Sequence, residues 1–111
     1  MAAKPSKLPV GTFEQIASAS DLGEGQVHEV PEWGISLKIR GLTRGEARLL
    51  SSEESSPEDK EVSVLLCGVV EPKLEPDQAR KVLQEKAVGP TERLIDAILE
   101  LSGMGDTFRN A

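Results

Sequence analysis

The chain has 111 residues, 38% of them apolar and 3% aromatic, and its 13 Lys and Arg face 19 Asp and Glu for a formal charge of −6. That length suits one domain with one core, built on Leu, Ile, Val and Ala, with Phe13, Trp33 and Phe108 as the only large rings. The negative balance repels phosphate backbones and anionic lipid, which argues against nucleic acid and membrane as direct partners, and no apolar run approaches the ~18 residues needed to cross a bilayer.

Residues 1–11 include Lys4, Pro5, Ser6, Lys7, Pro9 and Gly11, and bury too little apolar area to offset chain entropy, so they read as a flexible N-terminal arm. Thr12, with Gln15 three positions on, has the spacing of a capping box; it predicts a short helix with Phe13, Ile16 and Ala17 on a narrow apolar side, stopping near Asp21. From Gln26 to Arg40 the period changes to two. Ile35, Leu37 and Ile39 alternate with Ser36, Lys38 and Arg40, which places three aliphatics on one face of a strand. Val27 to Val30 supplies its partner, and Pro31-Glu32-Trp33-Gly34 supplies a turn, so the segment predicts a β-hairpin.

Thr43 and Glu46 repeat the capping-box spacing and predict a helix to about Glu54. Ser56 then caps a further helix, with Pro57 in the first position and Glu58 and Asp59 facing its positive end. Its interior, Val62 to Val70, has the β-branched residues of a strand and the spacing of a helix at Val62, Leu65, Leu66 and Val69; the strong start signal favours a helix ending before Pro72. Gly68 inside it costs about 1 kcal/mol relative to Ala and permits close helix packing. Glu75-Pro76 opens a helix with Ala79, Val82 and Leu83 on one side, and Gly89-Pro90-Thr91 opens another with a stripe of Leu94, Ile95, Ile98, Leu99 and Leu101, closed by Gly103. The fold expected is α+β: an N-terminal β-hairpin packed with a small bundle of about four helices, as a single domain over residues 12–104, followed by a frayed tail over 105–111.

The inventory of reactive groups is sparse. His28 and Cys67 are the only His and Cys, too few for a convergent metal site, and a His28–Cys67 dyad has no support in the spacing. A lone cysteine also rules out an intrachain disulfide and suits a reducing compartment; Met1 to Pro5 lacks the apolar segment of a secretory signal. Gly23 and Gly25 open no phosphate-binding helix, and Glu53, Glu54, Glu58 and Asp59 suit a solvated helix end better than an acid–base pair. No catalytic, metal or cofactor site is expected. Trp33, in the turn with Pro31 and Gly34, is the candidate partner-binding position, because Trp is enriched at interface hot spots; its competing role is to fold over the hairpin and cover the helices.

Ala19-Ser20-Asp21-Leu22, Val30-Pro31-Glu32-Trp33-Gly34 and Leu37-Lys38-Ile39-Arg40-Gly41-Leu42-Thr43 with Glu46 resemble the front half of the tail assembly chaperones of siphophages and prophages. The run ending Val69-Val70-Glu71-Pro72 and the helix closing Ile98-Leu99-Glu100-Leu101-Ser102-Gly103 are similar to their back half, so the resemblance covers residues 13–104 in order. It implies a non-enzymatic protein of the host cytoplasm. Such a protein binds the tape measure protein, keeps that long apolar helical chain soluble, helps recruit tail tube protein, and is absent from the finished virion. An exposed hairpin edge would allow a homo-oligomer. The alternative is a minor tail or head-tail connector subunit that stays in the particle.

Overall fold

A computed structural model describes residues 8–51 and 54–104; the arm before Leu8, Glu53, and the expected tail with Phe108 lie outside the described residues. Its elements are α1 (Phe13–Ser18), β1 (Gln26–Val30), a 3-10 turn (Pro31–Trp33), β2 (Ile35–Ile39), α2 (Arg44–Leu50), α3 (Pro57–Gly68), β3 (Val69–Glu71), α4 (Pro76–Glu85) and α5 (Val88–Leu101). The fold is α+β.

The hairpin forms as the alternation requires, with His28 opposite Leu37 and Val30 opposite Ile35 in antiparallel register. Val30, Leu37 and Ile39 are buried against helices, whereas Val27, Glu29, Ser36 and Lys38 point to the solvated face. The sheet has a third strand that periodicity does not reveal. The expected long helix ends at Gly68, and Val69–Glu71 pairs antiparallel with β2 across an irregularity at Lys38/Ile39, leaving β2 central. Arg40 N–H donates to Gly68 C=O at 2.8 Å, extending the ladder into the helix end. The β-branched pair Val69-Val70 thus goes to the sheet, where Val69 meets Ile39.

Helices α3 and α5 pack on the sheet, with α2 and α4 against them, and Val62, Val64 and Leu65 of α3 share one core with Leu94, Ile95, Ile98 and Leu99 of α5. Gly68 makes the close crossing expected of it: a Cβ there would meet Ile98. Arg80 in the middle of α4 pairs with Glu58 and Asp59 in the first turn of α3, tying the two helices together. The capping boxes at Thr12 and Thr43 and the Ser56 cap are all formed. Gly103 closes α5 with φ 73°.

Two further helices, besides α3, are shorter than expected. α1 ends at Ser18 rather than near Asp21, and none of its residues is buried; Phe13 is 76% and Ile16 73% exposed, so packing adds nothing to hold a longer helix. α2 ends at Leu50 rather than at about Glu54, with Ser51 as its C-cap donating its backbone N–H to Arg48 and Leu49 C=O.

Candidate interaction groove

Pro31 supplies the fixed φ that opens the 3-10 turn, and Gly34, at φ 67°, closes it with its N–H donating to Pro31 C=O at 3.0 Å. The turn sets Trp33 inward, half-buried against the core, and Glu32 outward, where Arg93 of α5 binds its carboxylate. That hydrogen bond holds the Glu32 carboxyl below the usual carboxylate range.

Beside Trp33 lies an apolar groove of about 390 Å³ at the hairpin end, β3 and α4, lined by Ile35, Pro72, Leu74 and Val82 over a floor of the buried Leu37, Leu65, Val69 and Leu94. Lys86 and Glu32 stand among the lining residues, and Ile35 is 52% exposed there. Of the three candidate residues, Trp33 forms part of this wall; Pro31 and Gly34 are exposed, shape the turn and do not line the groove. Trp33 takes the covering role, half-buried against the core, and its ring also borders the groove. Pro72, Leu74 and Val82 escape sequence reading because the groove depends on β3, whose residues continue a helical spacing. The Pro72 punctuation is the available signal.

Three other reactive or paired groups lie away from the groove. Arg40 binds Glu46 through two hydrogen bonds, Nη1–Oε1 at 3.0 Å and Nη2–Oε2 at 2.8 Å, while Thr43 N–H donates to Oε1 at 2.9 Å. This lowers the Glu46 carboxyl to about 2, with the Arg40 hydrogen bonds the largest cause. Burial and then the neighbouring Glu46 raise the Cys67 thiol, which keeps it protonated at neutral pH. His28 lies elsewhere, half-buried on β1 in a small depression with Ile39, Ala97 and Glu100, and its pKa is lowered by burial and by Arg93. Among the described residues, no three His, Cys, Asp or Glu side chains are grouped to hold a metal, and no helix is long and apolar enough to cross a membrane.

The stretches that carry the resemblance meet in space. Leu42 N–H donates to Ser102 Oγ at 2.7 Å, and Gly41 lies so close to α5 that a Cβ would sit 2.8 Å from the Leu101 carbonyl, so Arg40-Gly41-Leu42-Thr43 and Ile98–Gly103 form one joint. Trp33 and the Val69–Pro72 stretch meet in the groove. No family model, curated protein or solved structure matches the chain.

Proposed function

We propose that this protein is a tail assembly chaperone of a long-tailed bacteriophage, acting without catalysis in the host cytoplasm. It covers apolar surface of the tape measure protein, slows its aggregation and yields its place to tail tube protein as the tube polymerises. The observation that carries this reading is the open apolar groove beside Trp33, a surface suited to burying a partner's aliphatic side chains. The ordered motifs over residues 13–104 supply the identity of the partner by resemblance.

A second reading, a minor tail or head-tail connector subunit, is favoured by the exposed Phe13 and Ile16 of α1, which suit a permanent contact within a particle. One experiment separates the two. The tagged chain is expressed with its neighbouring genes, and captured proteins and purified virions are examined by mass spectrometry. Tape measure or tail tube protein in the capture, with the chain absent from virions, is the chaperone outcome. The chain present in virions without such complexes rejects the chaperone and supports the subunit.

A further inference from the structure

The groove beside Trp33 adjoins a second depression of about 500 Å³ that shares Pro72, Leu74, Val82 and Lys86 with it and runs out over the exposed side of α4. The floor of both is apolar, but the rim is basic. Lys73, Lys81 and Lys86 are all exposed, and among the described residues no ion pair holds any of them. Of the two acids lining the depressions, Glu32 is neutralised by Arg93, which leaves Glu85 against three lysines. In a chain of net charge −6 this is a local reversal of sign, placed around an apolar surface.

We propose that this surface takes an amphipathic helix of a partner protein whose apolar stripe is flanked by Asp or Glu, laid alongside α4. The inference rests on the reading of the groove as the partner site, and it names the chemistry of what enters. Gln78, Lys81 and Glu85 recur along α4 at helical spacing and line the outer depression, so they form a ridge beside which a second helix can lie. The stripe of that helix enters the groove at Trp33, as helix-in-groove partners do with residues spaced three and four apart. Its acidic flank meets the lysine rim, which sets orientation and selects against basic helices of equal hydrophobicity. A long helical partner offers many apolar stripes, and the rim charge chooses among them.

The test uses two synthetic helical peptides of about four turns with identical Leu stripes, one flanked by Glu and the other by Lys. Neither contains Trp, so the emission of Trp33, the chain's only tryptophan, reports on the groove during titration of the full chain. The Glu-flanked peptide is expected to shift that emission to the blue and to bind about tenfold more tightly at low salt, the gap closing near ~1 M salt. The double variant Lys81→Glu, Lys86→Glu is expected to invert the preference; circular dichroism checks that it stays folded. Equal affinity for the two peptides, no binding of either, or binding without change in Trp33 emission overturns the inference. Equal affinity leaves capture of the tape measure protein to decide the chaperone reading. Failure of that capture with the preference intact removes the chaperone reading and keeps the acidic-helix site.

Discussion

Gly68 and Ile98 approach so closely that a Cβ on the glycine would lie 2.5 Å from Ile98 Cγ2 and 2.6 Å from its Cδ1. The contact joins the last residue of α3 to the last turn of α5, and both residues are buried. A glycine that is unfavourable for helix propensity therefore serves tertiary packing, where it lets the two principal core helices meet.

Gly68→Ala sets these two effects against each other. The gain in helix propensity is at most about 1 kcal/mol, less at a helix end, whereas overpacking a filled core costs about 1–3 kcal/mol. The variant is expected to unfold at lower urea concentration with an unchanged denaturant slope. Adding Ile98→Val should recover only part of the loss, because it removes Cδ1 and leaves Cγ2 in place. A stabilised Gly68→Ala protein would show that the α3–α5 crossing can relax.

The Arg40–Glu46 pair predicts the acid response. The folded state lowers the Glu46 carboxyl from an ordinary 4.5 to about 2, so its stabilisation is complete above about pH 5 and is lost as the pH falls through 4.5 towards 2. Side-chain exposures of 18% for Arg40 and 27% for Glu46 give only partial solvent screening, and the contribution at neutral pH is about 2 kcal/mol. Urea unfolding of Glu46→Gln should show that loss at pH 7 and a flatter pH profile between pH 5 and 2. An unchanged profile would remove the pair from the stability of the α2 attachment.

The caps offer a comparison between two similar sequences with different surroundings. Thr12 and Thr43 each accept from the backbone N–H three residues on, yet α1 buries none of its residues while α2 buries Leu50 and carries Glu46 into the Arg40 pair. Thr43→Ala should cost about 1 kcal/mol of global stability, as loss of a helix cap does. Thr12→Ala should leave the unfolding midpoint unchanged and speed amide hydrogen exchange only in α1. A common shift in midpoint from both variants would mean that α1 folds as part of the core.

These cases mark what is legible in the sequence. Caps and hairpin are readable because their signals are local: Thr43 with Glu46, Ser56 with Pro57, and Ile35, Leu37 and Ile39 at every second position. β3 is not, because Val69 pairs with Ile39 and Glu71 with Lys38, some thirty residues away, and helical spacing over Val62 to Val69 masks the change. Without β3 the groove is not legible, since it is the pairing of Val69 with Ile39 that brings the following Pro72 and Leu74 beside Trp33. The exposure of Phe13 escapes for a related reason. A narrow apolar side identifies a helix that can pack without saying whether a neighbour is present to receive it.

The groove reading separates residues that stand side by side in the hairpin turn. Gly34 adopts φ 67°, and a Cβ there would meet nothing within 4 Å, so Gly34→Ala strains the backbone by about 1 kcal/mol but removes no wall of the groove. Trp33→Ala removes a wall and part of the core cover, while Trp33→Leu keeps apolar cover with a smaller side chain. Capture of the tape measure protein should survive Gly34→Ala, weaken with Trp33→Leu and be lost with Trp33→Ala, each variant compared at a temperature where it remains folded by circular dichroism. Undiminished capture by folded Trp33→Ala would place the partner surface away from the groove, and the exposed Phe13 and Ile16 of α1 would be the next positions to alter.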